Sequence, residues 1–264
     1  MTKHPDKHDP FEPISLNLSI QRQPDNSTCG PTALQAVYRY YGDPIALNTV
    51  IRETDKLAGG GTLAVMLGCH ALERGYRAKL YTYNLTMFDP TWFVPTPVTD
   101  LAERLKLQAR YKATYDPKFQ TATDAYLRFL DLGGEIRFED LSSRLIVSQL
   151  RRGHPILVGL SSTYLYRCAR EFGPDDEPDD IRGLPMGHFV VVCGYHPTRR
   201  QARVADPLHD ETLTPGQVYD VPMTRLVAAI MLGVLTYDAN MLIIYPHQTR
   251  PGETVVHESP PDRR

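Results

Sequence analysis

Four side chains in this sequence have the types and spacing needed for acyl transfer, and the first is Cys29. The stretch "NSTCGPTAL", residues 26–34, sets that cysteine directly before Gly-Pro and an apolar run. Alone, the stretch fits either a small buried hydrophobe or a nucleophile at the mouth of a helix. A thiol attacks only as its thiolate, a form favoured by the partial positive charge and free N–H groups of a helix N-terminus. A structural cysteine would sit deeper, on the stripe made by Leu34 and Val37. The thiol also needs a base. Of nine histidines, most lie in polar stretches, whereas "MGHFVVVCGY" places His188 at the first position of an apolar strand. A strand end can hold an imidazole firmly and leave one ring nitrogen free. A third group must orient that ring. Asp206 ends the segment "QARVADP"; if 188–195 and 201–206 pair as a hairpin across the five residues 196–200, the ends far from the turn are 188 and 206. An aspartate before proline also starts ordinary turns. Gln23, six residues before Cys29, could share a developing oxyanion with the Cys29 N–H.

These residues need elements to position them. Leu34, Val37, Tyr38 and Tyr41 make one apolar stripe and predict a helix over 28–41, with Ser27 or Thr28 as cap, Pro31 in the first turn and Gly42 at the exit. A second helix is expected over 62–74, and others near 99–113, 121–132, 141–151 and 223–232, the last with Asp220 as cap and Gly233 as stop. Strand patterns fall at 76–83, 155–162, 188–195, 201–207 and 241–246, and 84–98 reads as a long loop. Helices come mostly first and strands mostly later, which favours an α+β fold over a doubly wound sheet. The expected domain spans 16–246, with insertions near 84–135 and 171–187, a flexible leader over 1–15 and a disordered tail over 247–264.

Composition excludes other classes. The 264 residues are 42% hydrophobic and 23% charged with a net charge of −2, which gives no general reason to bind nucleic acid or a membrane surface. No signal-like apolar region opens the chain, and no run approaches the roughly 18 apolar residues of a membrane helix. A cytoplasmic protein is the expectation. Cys29, Cys69, Cys168 and Cys193 form no C-x-x-C pair, so all four are read as thiols, with Cys193 in the core. Cys69 and His70 have no metal partner at ligand spacing, and neither metal nor cofactor is expected. The glycines at 59–61 lack the Lys-Ser/Thr ending of a phosphate loop, and "GLSSTYLYR" lacks a serine elbow. The acidic stretch 171–183 is either a solvated surface loop or a lid that favours basic substrate residues.

Gln23, then Cys29-Gly30 opening a helix, His188 opening a strand and Asp206 before Pro207 together resemble the papain-like cysteine peptidases. Within them, "QPDNSTCGPTALQAVYRYYG" with "GHFVVVCGY" and "VADP" is most similar to the bacteriocin-processing family, cysteine peptidase family thirty-nine, in its stand-alone form. The resemblance covers about 21–45 and 155–207. It implies a helical half carrying the nucleophile packed on an antiparallel sheet carrying histidine and aspartate. It also implies Cys29 as nucleophile, His188 as base and acid, Asp206 as orienting acid and Gln23 as oxyanion donor, acting on a peptide or protein substrate. Gly30 and Gly187, which flank the cysteine and the histidine, and Ser161 and Ser162, at the end of the 155–162 strand, are expected to line the cleft. Two rivals use the same residues: a transpeptidase or acyltransferase on small peptides, and a peptide-binding relative without turnover.

Overall fold

The apolar stripe after Thr28 becomes helix α1 (Cys29–Tyr40) in the computed structural model of the protein, which describes residues 12–94, 100–112 and 117–247. Ala33, Leu34, Val37 and Tyr38 are wholly buried on it. Its exit is Gly42, whose φ of +82° is a left-handed conformation that costs glycine little. The start differs from expectation, because neither Ser27 nor Thr28 places a side chain over the first turn. Ser27 instead gives its N–H and hydroxyl to the Asp25 carboxylate, at 2.8 and 2.7 Å.

Helices α2 (Leu47–Glu53) and α3 (Ala64–Glu73) follow, then strand β2 (Tyr76–Thr82), preceded far upstream by the short β1 (Ile14–Ser15). β1 lies inside the stretch expected as a leader; the rest of that stretch up to residue 11, and the tail from 248, lie outside the described residues. The expected loop 84–98 contains a 3-10 turn at Pro90–Phe93. Next come α4 (Leu101–Lys112), α5 (Pro117–Asp131), β3 (Glu135–Arg137) and α6 (Ser143–Arg151). The second half supplies β4 (Ile156–Ser161), α7 (Ser162–Tyr166), the pair β5 (Glu171–Phe172) and β6 (Glu177–Pro178), then β7 (Gly187–His196) and β8 (Gln201–Ala205). β9 (Val218–Pro222), α8 (Met223–Leu232) and β10 (Asn240–Pro246) complete the order.

One sheet runs β3-β2-β10-β4-β7-β8-β9, with β1 added to β7. Every adjacent pair is antiparallel except β2 and β3, which are parallel. The fold is therefore α+β with a largely antiparallel sheet. The sheet is covered on both faces. Phe189, Val191 and Cys193 of β7 pack with Leu34, Leu67 and Phe129 of α1, α3 and α5, while Val190 and Val192 pack with Ile146, Leu150, Leu226 and Ile230 of α6 and α8. Burial on both sides explains why β7 is an unbroken apolar run rather than an alternating one.

One local expectation is corrected by packing. Asp220 does not cap α8, whose N-cap is Pro222; it pairs across the sheet with Arg203 at 3.1 Å. Gly233 does end α8, as expected, and the chain continues through a 3-10 turn (Gly233–Thr236) to a left-handed Tyr237. Glycine is needed at 233 for closeness, since a methyl there would lie 2.7 Å from the Ala239 nitrogen. Part of the segment near 84–135 packs into the main core: Phe119, Tyr126 and Phe129 of α5 share a cluster with Leu34 and Leu67. Gly68 on α3 makes room for it, as a methyl there would sit 2.6 Å from the Phe129 ring.

Candidate active site

The loop before α1 is shaped by its own short side chains. The Thr28 hydroxyl donates to the Asp25 carbonyl at 3.1 Å, and the Ser27 bonds to Asp25 close the same turn. The turn delivers Cys29 at the first position of α1, half-buried, with no side-chain cap competing for the helix's leading N–H groups. Pro31 has no N–H and the Thr28 N–H goes to the Asp25 carbonyl, so the leading N–H groups left without a partner within the helix are those of Cys29 and Gly30. Gln23 is held nearby by its backbone, which donates to the Pro207 carbonyl at 2.9 Å. One N–H of its side-chain amide goes to the Asp25 carbonyl at 2.9 Å, and its Oε1 is buried without a hydrogen-bond partner among the described residues. The amide has a second N–H to give.

His188 and Asp206 meet through the β7–β8 hairpin. The turn is four residues, 197–200, and Val191 pairs with Ala205 after a bulge at Cys193. That register carries Asp206 to a level opposite Val190, and His188, two residues on, shares its face of the strand. The His188 Nε2 and an Asp206 oxygen, Oδ1, are 2.8 Å apart. Cys29 lies near enough to the same imidazole to help raise its pKa. With Nε2 engaged by the carboxylate, Nδ1 is the nitrogen left for the thiol. The structure thus joins His188 to Asp206, places Cys29 near the same imidazole, and ties Gln23 to the residue that follows Asp206.

Asp206 is completely buried and has four hydrogen-bond partners. Oδ1 takes the His188 ring and the Leu208 N–H at 2.9 Å; Oδ2 takes the hydroxyls of Tyr166, at 2.8 Å, and Tyr219, at 2.6 Å. Burial pushes the Asp206 carboxyl up, but the His188 charge and these hydrogen bonds outweigh it and hold the group below its ordinary value. Burial likewise works against charge on His188, and is outweighed by the charge and hydrogen bond of Asp206 and by Cys29, so the imidazole's pKa is raised. Tyr166 also covers the ring, its centroid 6.0 Å from that of His188. Sequence reasoning missed both tyrosines. Nothing in "STYLYR" or "QVYDVP" marks a hydroxyl whose partner lies 40 or 13 residues away.

The four expected cleft residues are all engaged in the scaffold. The Ser161 hydroxyl accepts from the Tyr164 N–H at 3.4 Å as the N-cap of α7, and the Ser162 hydroxyl donates to the Met186 carbonyl at 3.0 Å. A methyl on Gly30 would lie 2.6 Å from Thr62 Cγ2, and one on Gly187 would lie 2.7 Å from Asp238 Oδ2. Asp238 itself is a buried carboxyl that burial pushes up to about 7, against the pull of the Lys118 charge and the Thr236 hydroxyl. The acidic stretch 171–183 forms the β5–β6 hairpin and borders the site, since Asn26 Nδ2 donates to Asp176 Oδ2 at 3.4 Å. All four cysteines are free thiols. Among the described residues, no cluster of histidine, cysteine and carboxylate side chains could hold a metal, and no helix is long and apolar enough to cross a membrane.

A helix presenting a cysteine toward a histidine on a largely antiparallel sheet defines the class, a papain-like cysteine peptidase. The profile described as the Peptidase_C39 like family matches residues 15–226, and the chain belongs to that family. Comparison with curated proteins finds no match. Among solved structures, the chain is similar to a protein described as a C39-like peptidase from Bacillus anthracis (14% identity, 90% of this chain and 100% of that one, TM-score 0.42). It is also similar to a double glycine motif protease from an AMS/PCAT transporter, solved with the leader peptide (15% identity, 89% and 97%, TM-score 0.41). A third is Xylellain, a cysteine protease from Xylella fastidiosa (12% identity, 89% and 86%, TM-score 0.46).

Proposed function

We propose that this cysteine peptidase hydrolyses peptide bonds through a thioester on Cys29, with His188 as general base and acid, Asp206 as the group that orients the imidazole, and Gln23 as an oxyanion donor. The observation that carries the reading is the buried pair His188–Asp206, 2.8 Å apart, with Cys29 near enough to help raise the imidazole's pKa. His188 Nδ1 takes the thiol proton, and the thiolate attacks the substrate carbonyl carbon. The oxygen of the tetrahedral adduct becomes negative and is met by the Cys29 N–H and the free N–H of Gln23. Collapse breaks the C–N bond, and the amine leaves with the proton held by His188. Water then attacks the thioester, His188 takes its proton, and the carboxylate product departs as the thiol is restored. An extended peptide strand is the substrate class that suits a site at the open end of a sheet.

Labelling tests the assignment. A thiol-directed electrophile such as iodoacetamide, offered in limiting amount, is expected to modify Cys29 first. Burial pushes Cys69 up to about 12 and Cys193 up to about 11, and it raises Cys168 as well. Equal labelling of all four thiols would sink the reading. Mass spectrometry of the fragment trapped on Cys29 from a cell extract then identifies the acyl group. Adding an amine separates hydrolysis from acyl transfer by the product formed.

A further inference from the structure

We propose that Tyr166 and Tyr219 are positioning residues: their hydroxyls clamp Oδ2 of Asp206 and leave Oδ1 a single orientation, toward the His188 imidazole. The proposal rests on the role given to Asp206 above. A free carboxylate can rotate about its Cβ–Cγ bond and exchange its oxygens. Two donors at 2.8 and 2.6 Å on Oδ2, from different elements, forbid that rotation. They also make the carboxylate an acceptor at every position, so the proton shared with His188 stays on the ring.

The two elements are built to deliver these hydroxyls. Tyr166 is the last residue of α7, a helix of only five residues whose N-cap is Ser161, next to Ser162 anchored on Met186. The helix is ended at Arg167, a non-glycine residue in the left-handed conformation with φ 58° and ψ 42°. That backbone state is uncommon and is kept only where the surroundings enforce it. It stops the helix so that Tyr166 lies against both His188 and Asp206. Tyr219 comes from β9, the edge strand, whose register places it beside Val204 on β8, two residues before Asp206. Each ring is largely covered, and burial together with the Asp206 charge raises both phenols, which therefore stay protonated donors across the working range.

The titratable groups facing Asp206 are His188 from β7, Tyr166 from α7 and Tyr219 from β9, with Cys29 of α1 beyond the ring. Glu171 and Asp238 sense the His188 charge from farther off.

The test replaces each tyrosine with phenylalanine, which keeps the ring and removes only the donor. The Asp206 carboxyl is followed by its ¹³C chemical shift, alongside hydrolysis of a quenched-fluorescent peptide containing Gly-Gly across the pH range. In the unmutated protein the carboxyl titrates below 3.8. Tyr166→Phe and Tyr219→Phe are each expected to raise it by about one unit, since a hydrogen bond to a charged group is worth roughly that much. With fewer donors, burial dominates and the group moves toward or past its ordinary value. The acid limb of hydrolysis moves up with it, while the unfolding midpoint identifies any general loss of packing. A carboxyl that titrates unchanged in both single variants would overturn the clamp. So would a carboxyl that moves while the acid limb stays in place. Asp206→Asn separates the two levels of the argument: full hydrolysis in that variant would remove the orienting role of Asp206 itself, whereas its loss with unmoved tyrosine variants removes only the clamp. Should the double variant fail to fold, the single variants decide.

Discussion

Asp238 and Asp206 are both buried carboxyls near His188, and their surroundings treat them in opposite ways. Asp206 has four hydrogen-bond partners and stays ionised, whereas Asp238 has Oδ1 without a partner among the described residues and only the Thr236 hydroxyl, at 3.5 Å, on Oδ2. Burial raises Asp238 from 3.8 to about 7. A carboxyl whose folded pKa is raised binds its proton more tightly when folded, so its contribution to stability is greatest at low pH and falls as pH rises toward 7. Asp238→Asn is therefore expected to raise the unfolding midpoint above about pH 7, with the gain shrinking toward pH 3.8. Thermal unfolding across that range checks it, and a gain that is constant with pH would refute it. At the proposed nucleophile, Cys29→Ala is expected to abolish peptide hydrolysis while leaving the unfolding midpoint nearly unchanged, because the half-buried thiol contributes little packing. Activity retained in that variant would revive the reading of a binding protein without turnover.

α5 shows why a segment outside the motif blocks still belongs to the fold. Its pattern places Phe119, Ala122, Tyr126 and Phe129 on one buried face, spaced as a helix requires. Phe129 fills the space left by Gly68 and Gly134, against α3, and is wholly buried. Phe129→Ala removes that volume from a packed core, and the expected loss is about 3–5 kcal/mol in urea unfolding. A loss below about 1 kcal/mol would mean that α5 contributes little to the core. The periodicity of α1 and the apolar run of β7 are equally visible in the sequence, since each side chain's burial follows from its own neighbours at i+3 and i+4 or from the pleat. α2 and β9 are less visible. Only Val50 is buried on α2, and β9 carries an exposed Val218, so neither offers a clear period.

Across the molecule, pH acts through histidines in two different settings. His70 lies under α2, its Nδ1 2.8 Å from the Tyr38 hydroxyl and its Nε2 3.6 Å from a Glu53 oxygen. Burial lowers its pKa below 6.5 more than the Glu53 charge restores it, so the folded protein keeps it neutral. Stability tied to His70 is therefore present above 6.5 and declines as pH falls through that value, where the unfolded chain takes up the proton first. His188 has the opposite sign: its raised pKa contributes below 6.5 and is lost as pH rises through the folded value. The unfolding midpoint of a His70→Gln variant is expected to depend less on pH just below 6.5 than that of the unmutated protein. Parallel curves would refute the assignment.

The sequence by itself determined the chemistry on offer and the order in which it appears. A cysteine opening a helix, and a histidine and an aspartate at matching ends of a hairpin, are placed by local rules of helix starts and strand pairing, which need no distant contact. Only the tertiary structure decided what surrounds them. The hydroxyls on Asp206, the closure of the sheet by β10 against β2, and the covering of both sheet faces join residues far apart in the chain. Such contacts are fixed by packing and by the need to satisfy buried polar groups, and neither leaves a periodic trace in the order of residues. Cys29 belongs to both accounts: its helix is written in "NSTCGPTAL", and its base is brought to it by the fold.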